Sequence, residues 1–234
     1  MSNQYFDINK FPKDWGIIVL PISMSRIGNT QSPQACIDAL DHFLPKIDLN
    51  RVGANFIYSE GLYMNLEQDA YTTKNDFART AVSHMRGVRN LVSKNHRKFQ
   101  IDHAFNFDSW FQMYLSHKDF FEAFRMVREL YDTDSEFKQK ITLDAEEQGK
   151  ELTERQLAFY LEEHTFAYLL MNRKLTLRNE FVNGREQWVL FAYPGNPPQA
   201  QMYLVQKDPL GINGDSNPYK GQYDLEEKVF VPYI

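Results

Sequence analysis

The sequence is poor in cysteine and in long apolar runs. Its only cysteine is Cys36, so no disulfide can form within the chain, as is typical of proteins in a reducing compartment. The longest apolar stretches, 17–22 and 166–171, are far too short to span a bilayer. No segment combines the basic and apolar regions of a signal peptide. These absences predict a soluble, cytoplasmic protein.

Several catalytic and cofactor motifs are also missing. There is no HExxH and no Cys/His cluster with metal-ligand spacing, which argues against a metal site. Without GxGxxG or GxxxxGK[ST], a phosphate-cradling loop for a dinucleotide or ATP is not indicated. The missing GxSxG elbow argues against an ordinary α/β-hydrolase. We therefore expect neither a metal nor a cofactor.

Acidic residues are absent from residues 77–101, although the whole chain carries a net charge of −5. With 31 acids in 234 residues, a window of this length would hold about three. The same window contains six Arg and Lys residues and two histidines: Arg79, Arg86, Arg89, Lys94, Arg97, Lys98, His84 and His96. A local cationic face on an acidic protein predicts a polyanion site, with a solvated helix face or a subunit contact as the alternatives.

The residues that are present predict an α/β fold. Residues 15–23 form a short, continuous apolar run typical of a strand buried on both faces of a parallel sheet. Pro33, with Ser32 as its cap, begins a helix, and a second strand follows at 54–59. We expect a single Rossmann-like domain over 1–234 with a mostly parallel sheet flanked by helices. Its core covers about 15–205, and 206–234 form a loop-rich tail.

The remaining elements follow from periodicity and turn residues. The predicted helices are 76–97, 108–115, 118–131, 135–149 and 152–170, and the predicted strands are 98–103, 188–193 and 201–205. From residue 207 onward, Gly, Pro, Asn and Asp predict surface loops.

Three residues stand out as candidates for chemistry. Ser23 follows the first strand, at the sheet edge where ligands bind in open α/β folds, and can act as a nucleophile. Glu163 stands among apolar helix residues, which favours a raised pKa and a role as general acid or base. Tyr193 ends a strand and enters a loop fixed by proline and glycine. The alternatives are a loop serine, a solvated carboxylate and a simple turn.

The order of these features resembles the tRNA-dependent cyclodipeptide synthases over about residues 15–205. The resemblance rests on the strand ending in Ser23, the acid-free basic helix, Trp110 with YDTDSEF at 131–137, YLEEHTF at 160–166, and the strand entering Tyr193 and Pro198. That family has a Rossmann-like fold related to class I aminoacyl-tRNA synthetases. It lacks ATP-binding motifs because its substrates arrive already activated, and this sequence lacks them too.

The resemblance implies a role for each matched position. Ser23 accepts the first aminoacyl group as an ester, with Ser25 the next candidate, while Glu163 orients the amine and Tyr193 bonds in the same pocket. Arg26, Phe159 and Tyr160 stand where substrate contacts are expected. The basic residues that hold the tRNA acceptor arm are Arg79, Arg86, Arg89, Lys94, Arg97 and Lys98.

The sequence departs from the family pattern at several of these positions. Arg26 and Gly28 replace an asparagine and an aromatic, and Phe159 replaces a tyrosine one helical turn before the glutamate. Pro194 stands where histidine is frequent, and Phe120 where a tyrosine is expected. The departures indicate a divergent branch, of which the fungal arginine-using synthases are one example.

The resulting hypothesis is an aminoacyltransferase that uses two charged tRNAs to make a cyclic dipeptide. The alternatives are a non-catalytic tRNA- or RNA-binding protein, and an acyl transferase or hydrolase acting on a substrate other than tRNA. Binding of uncharged RNA without product would favour the first alternative, and activity on small esters the second.

Overall fold

A computed structural model describes residues 15–43, 52–64, 70–95, 105–175, 188–212, 217 and 219–233. In chain order the described elements are β1 (Gly16–Ile22), α1 (Pro33–Phe43), β2 (Val52–Tyr58), α2 (Glu60–Met64), α3 (Ala70–Lys94), β3 (Phe105–Ser109), α4 (Trp110–Ser116), α5 (Lys118–Thr133), α6 (Ser135–Glu147), α7 (Glu154–Met171), β4 (Trp188–Tyr193), α8 (Gln199–Lys207), β5 (Gly221–Asp224) and β6 (Val229–Pro232).

The described strands form one sheet in the order β3-β2-β1-β4-β5-β6. Pairing is parallel from β3 through β5, and only β6 runs antiparallel to its neighbour. The order reverses at β1, which lies between β2 on one side and β4 on the other. This topology is the mostly parallel α/β fold predicted from the sequence, and it places a switch point at the carboxyl ends of β1 and β4.

β1 lies in the interior of the sheet between β2 and β4, and nearly all of its residues are therefore buried. Gly16, at its start, allows the Trp188 ring to lie directly on the backbone. A Cβ at Gly16 would stand 1.9 Å from that ring. The glycine therefore seats β4 closely beside β1, where a larger side chain would not fit.

Alternate residues of β1 face two different helical layers. Ile17 and Val19 pack into a core with α4 to α8, whereas Ile18, Leu20 and Ile22 pack with α1 and α3. Because side chains alternate across a strand, one seven-residue element anchors both layers. The functional consequence is that Ser23 leaves the sheet between them.

The helix of the first βαβ unit begins as predicted. The Ser32 hydroxyl accepts a hydrogen bond from the backbone N–H of Ala35 at 3.3 Å, so it caps α1. Gly87 of α3 lies against Pro33, and a Cβ there would come within 2.7 Å of the proline ring. α3 therefore packs tightly on α1, next to the loop that follows Ser23.

The predicted helix at 108–115 was wrong at its start. Asp108 and Ser109 belong to β3, and the helix begins at Trp110. Asp108 is buried in the sheet because its carboxylate accepts a hydrogen bond from Asn55 Nδ2 at 2.9 Å. This partner lies 53 residues away, so the local pattern did not reveal it. The strand predicted at 98–103 lies outside the described residues.

The strand predicted at 201–205 was also wrong, because these residues belong to α8. Buried Ala200, Tyr203 and Leu204 repeat at helical spacing. The helix is stabilised from a distance, since the Asp144 carboxylate accepts hydrogen bonds from the N–H groups of Gln199 and Ala200 at 2.7 and 2.9 Å.

The loop-rich tail predicted from residue 206 onward contains two strands, β5 and β6. Every residue of β5 is buried, and it pairs with β4 through Gln222, Tyr223 and Asp224. The turn residues of this region flank the strands and hid them in the sequence. Within the described part of the chain, no helix combines the length and apolar character needed to cross a membrane.

Candidate active site

A pocket opens at the switch point of the sheet, beyond the carboxyl ends of β1 and β4. Its empty volume, including the part open to solvent, is about 460 Å³. The described residues that line it are Pro21, Ser23, Ser59, Trp110, Glu163, Phe166, Ala167, Phe191, Tyr193, Pro198, Gln201 and Gln222. Three residues predicted for chemistry, Ser23, Glu163 and Tyr193, therefore share one cavity.

Ser23 lies in a cluster of hydroxyl groups. Its Oγ is 2.6 Å from Tyr63 Oη and 2.9 Å from Ser25 Oγ, and these two neighbours are themselves 2.9 Å apart. Ser23 is only 5 % exposed, whereas Ser25 is exposed. The cluster can pass a proton between hydroxyls and can donate hydrogen bonds to a developing negative charge.

Glu163 faces the same pocket from α7. The pKa of its carboxyl is raised to about 7, mainly by burial and also by the nearby charge of Asp144, while Arg26 acts in the opposite direction. A carboxyl with this pKa exchanges its proton near neutral pH, which suits a general acid or base. The sequence predicted a raised pKa from the apolar neighbours alone, and Asp144 was not part of that prediction.

Asp144 and His164 form a buried pair behind Glu163. His164 Nε2 lies 3.6 Å from Asp144 Oδ2. Burial lowers the pKa of His164 to about 3, so the ring is neutral near pH 7 and the contact is not an ion pair. Burial also raises the pKa of Asp144 to about 6. The negative charge that reaches Glu163 is therefore not cancelled by the imidazole.

Tyr193 ends β4 with its phenol in the pocket. Burial raises its pKa, the charge of Glu163 raises it further, and a hydrogen bond with the Ser23 side chain opposes these effects. The phenol is neutral at physiological pH and remains a hydrogen-bond donor. Its backbone is held by the residue that follows β5, since the N–H of Leu225 donates to Tyr193 O at 3.3 Å.

Arg26 reaches from the loop after β1 to the loop after β4. Its Nη1 donates to Pro194 O at 3.1 Å, and its guanidinium lies 5.4 Å from the centre of the Tyr193 ring. Glu226 is 4.0 Å away on the outer side. In this geometry the arginine holds the Tyr193 loop, and its predicted contact with substrate stays a prediction.

Phe159 and Tyr160 are not among the described residues that line the pocket. Phe159 packs edge-on against Tyr63, with ring centres 5.2 Å apart, and Tyr160 packs against Phe159 at 5.8 Å. Both side chains are buried. Their packing supports the phenol that contacts Ser23, while their predicted role in substrate binding stays a prediction.

The outer face of α3 carries the predicted tRNA-binding cations. A shallow surface groove runs along this face and is lined by Asn75, Ala78, Arg79, Val82, Ser83, Arg86, Gly87 and Asn90. Arg89 is exposed with its guanidinium 4.9 Å from the Phe107 ring centre, and Lys94 is exposed near the end of the helix. Arg79 lies 3.7 Å from Asp76. Arg97 and Lys98 lie outside the described residues.

Sequence reasoning assigned no site role to Tyr63 or Trp110, although Trp110 is one of the residues on which the resemblance rests. Both follow the carboxyl ends of strands, Tyr63 after β2 and Trp110 directly after β3. The rule that selected Ser23, ligands beyond the carboxyl ends of parallel strands, applies equally to these positions. Trp110 Nε1 donates to buried Glu162 at 2.6 Å, which fixes the indole at the pocket wall.

A metal site was not expected, and the described residues contain no group of three or more His, Cys, Asp or Glu arranged to hold a metal ion.

The fold and the pocket define a class: a Rossmann-like α/β domain with the fold of the cyclodipeptide synthases. A cyclodipeptide synthase from Bacillus thermoamylovorans superposes with a TM-score of 0.57 at 14% identity, covering 87% of this chain and 86% of that one. A cyclodipeptide synthase from Streptomyces noursei superposes with a TM-score of 0.55 at 13% identity, covering 92% of this chain and 97% of that one. The resemblance predicted from the sequence is confirmed at the level of the fold.

A third solved structure has a similar fold. A Mycobacterium tuberculosis protein, described as demonstrating that cyclodipeptide synthetases are related to type I tRNA synthetases, superposes with a TM-score of 0.51 at 17% identity over 80% of this chain and 77% of that one. No protein-family model matches the sequence, and no curated protein matches it at a significant level.

Proposed function

We propose that this protein is an aminoacyltransferase that takes two aminoacyl groups from charged tRNAs and joins them into a cyclic dipeptide. The observation that carries the proposal is the arrangement of Ser23, Glu163 and Tyr193 around one pocket at the switch point of the sheet. A buried serine hydroxyl faces a carboxyl group with a pKa of about 7 across that pocket. This pairing suits transfer of an acyl group that carries an amine.

In the first step, Ser23 Oγ attacks the carbonyl carbon of an aminoacyl-tRNA ester. The new bond joins Oγ to that carbon, the bond to the ribose oxygen breaks, and the proton of the serine ends on the ribose hydroxyl. The ester is already activated, so the protein has to position groups and move a proton without supplying bond energy. Tyr63 and Ser25, hydrogen-bonded to Ser23, offer the route for that proton.

Hydroxyl groups are the candidates for stabilising the oxyanion. The backbone N–H of Ser23 already donates to Gln31 Oε1 at 2.8 Å, so it is engaged within the protein. The phenols of Tyr63 and Tyr193 both lie beside the serine, and burial raises the pKa of Tyr193, which therefore keeps its proton at neutral pH. We assign them to the negative charge that develops on the carbonyl oxygen.

Glu163 serves the amine. As a carboxylate it anchors the ammonium of the seryl ester, and with a pKa of about 7 it can accept the proton that frees this amine. The amine attacks the carbonyl of a second aminoacyl-tRNA, releasing that tRNA and forming a dipeptidyl ester. The new terminal amine then attacks the seryl ester, which closes the ring and returns a proton to Ser23.

The exposed cations of α3 are assigned to the tRNA. Phosphate contacts from Lys and Arg supply sequence-independent affinity for nucleic acid, and the outer face of this helix bears Arg79, Arg86 and Arg89. An acidic chain of net charge −5 needs such a local face to approach a polyanion.

The test is mass spectrometry of products formed by the purified protein with a mixture of charged tRNAs. We expect a new cyclic dipeptide, and a protein species heavier by one aminoacyl group when a single charged tRNA is supplied. Ser23→Ala should abolish both, whereas Ser25→Ala should slow formation of the covalent species without abolishing it, because Tyr63 still contacts Ser23. Normal turnover by Ser23→Ala would overturn the assignment of the nucleophile.

The same experiment separates the alternatives. Tight binding of uncharged tRNA with no product and no covalent species would indicate an RNA-binding protein. Acylation of Ser23 by small aminoacyl esters, with no reaction of charged tRNA, would indicate an acyl transferase or hydrolase on other substrates.

A further inference from the structure

The side chain of Gln31 holds the backbone on either side of Ile22. Its Oε1 accepts a hydrogen bond from the N–H of Ser23 at 2.8 Å, and its Nε2 donates to Pro21 O at 2.6 Å. Gln31 is fully buried. One amide group therefore satisfies a donor and an acceptor at the end of β1.

The Gln31 amide makes the two hydrogen bonds that a neighbouring strand would otherwise make at this point. Ile22 O points toward β2, where it accepts from Ser59 N at 3.0 Å. Successive backbone groups of a strand point to opposite sides, so Pro21 O and Ser23 N face the β4 side. The pairing of β1 with β4 extends only to Val19. Without the Gln31 amide, these two buried groups would lose their partner just before the nucleophile.

Gln31 is in turn fixed by His84 of α3. His84 Nε2 lies 2.7 Å from Gln31 O, and Nδ1 lies 2.9 Å from Tyr58 Oη. A carbonyl oxygen can only accept, so Nε2 carries the proton and Nδ1 of the neutral ring accepts from the tyrosine. Burial lowers the pKa of His84, which favours this neutral form.

The same helix presents its cations outward. His84 is 4 % exposed, whereas Arg86 and Arg79 are exposed. With about 100° of rotation per residue in an α-helix, both arginines lie well away from the direction of His84. α3 thus contacts the loop after Ser23 with its inner face, while Arg79 and Arg86 on its outer face are exposed.

We propose that Gln31 is a positioning residue for the nucleophile Ser23, and that His84 anchors Gln31 to the helix whose outer face bears the tRNA-binding cations. This inference rests on the proposed function of Ser23. Neither residue touches the substrate. Gln31 sets where the backbone of Ser23 lies, and a displacement of about 1 Å at a reacting group can cost about 100-fold in rate.

The test uses the full chain and the single-turnover rate of acyl transfer from charged tRNA to Ser23, followed by intact-protein mass spectrometry. Gln31→Met keeps a similar volume and removes both hydrogen bonds of the amide. We expect a rate about 100-fold lower, with the Kd for charged tRNA unchanged. Gln34→Met is the matched control, since Gln34 is exposed and its amide donates a hydrogen bond to Asp38 on the same helix. It should react at the wild-type rate.

Two variants of His84 test the second half of the inference. His84→Leu removes both the donor to Gln31 O and the acceptor for Tyr58 Oη. Loss of the hydrogen bond to Gln31 should slow acyl transfer about fivefold. His84→Gln keeps an N–H donor and should restore most of the rate. Recovery by the donor-bearing variant distinguishes positioning from mere filling of the core.

The outcomes separate this inference from the proposed function. A folded Gln31→Met protein that reacts at the wild-type rate overturns the positioning role, as does a loss explained entirely by weaker tRNA binding. If Gln31→Met does not fold, the two His84 variants decide: equal rates overturn the inference, and recovery by His84→Gln supports it. Product from Ser23→Ala would instead overturn the proposed nucleophile.

Discussion

The helices α7 and α3, on the two sides of the sheet, differ in how much of their surface is exposed to solvent. α7 is buried over most of its length, including every residue from Phe166 to Met171. α3 buries only a stripe that includes Ala81, Val88 and Val92, and its other faces are exposed. A helix that is apolar all round belongs in a core, whereas an amphipathic one covers it.

This difference assigns different chemistry to the two helices. On buried α7, desolvation raises the pKa of Glu163 to about 7 and lowers that of His164 to about 3. On α3, Arg79, Arg86 and Arg89 are exposed, which suits contact with a partner. Proton transfer is therefore expected from the buried helix and substrate docking from the exposed one.

The largest effect should come from the buried helix. Glu163→Gln removes the group that we propose anchors and deprotonates the amine, and we expect turnover to fall about 100- to 10,000-fold. The measurement is the steady-state rate of cyclic dipeptide formation. Glu154→Gln, the same change at an exposed position in the first turn of α7, should leave the rate unchanged. Equal activity of the two variants would remove Glu163 from the mechanism.

The same substitution should also change how the free energy of unfolding depends on pH. The pKa of Glu163 lies above its ordinary value of 4.5, so between about pH 4.5 and 7 the folded protein binds more protons than the unfolded chain. Its contribution therefore lowers the free energy of unfolding as pH rises through this window. Glu163→Gln should lack that loss, and denaturant unfolding at pH 5 and pH 8 measures the difference.

A smaller effect is expected from the exposed helix. Replacing Arg86 and Arg89 together by alanine should raise KM for charged tRNA about tenfold and reduce its salt dependence, because the two phosphate contacts proposed for them would be lost. Turnover at saturating tRNA should change little. Kinetics at several salt concentrations measure both quantities.

The control for this pair lies on the other side of the sheet. Arg125 and Arg128 are also three residues apart on one helix, but they pair with Glu122, Glu129 and Glu154. Replacing both by alanine should leave KM and its salt dependence unchanged. If the two double variants behave alike, the α3 face is not the docking surface.

The sequence alone predicts much of this division. Continuous apolar runs revealed the buried strands β1 and β4, and the missing acids of 77–101 revealed the exposed face of α3. Local caps were equally readable: Ser32 accepts from Ala35 N at 3.3 Å, as predicted for the start of α1. These signals are local, since each depends on residues adjacent along the chain.

What could not be predicted depends on contacts between distant residues. Asp144 acts on Glu163 and caps α8 from 55 residues away, and Gln31 bonds Ser23 only because the intervening loop folds back. The apolar segment at 201–205 fits a strand or a helix until Asp144 supplies the cap. The sequence therefore predicted the candidates Ser23 and Glu163 one by one. It did not predict the distant residues that position Ser23 or shift the pKa of Glu163.

Asp144 offers a way to shift the proton chemistry without touching the pocket. Its charge raises the pKa of Glu163, so Asp144→Asn should lower that pKa and move the acidic limb of the kcat/KM profile to lower pH. Asp134→Asn is the control, because Asp134 also caps a helix but does not contribute to the pKa of Glu163. An unshifted limb would mean that Glu163 does not set it.

Arg26 should produce the opposite shift. Its positive charge lowers the pKa of Glu163, so Arg26→Gln should raise that pKa and move the acidic limb to higher pH. Glutamine retains an N–H donor for Pro194 O, which preserves part of the hold on the Tyr193 loop. Measured together, the Asp144 and Arg26 variants should displace one titration in two directions. Displacement in the same direction would indicate a change in loop position, because charge alone predicts opposite signs.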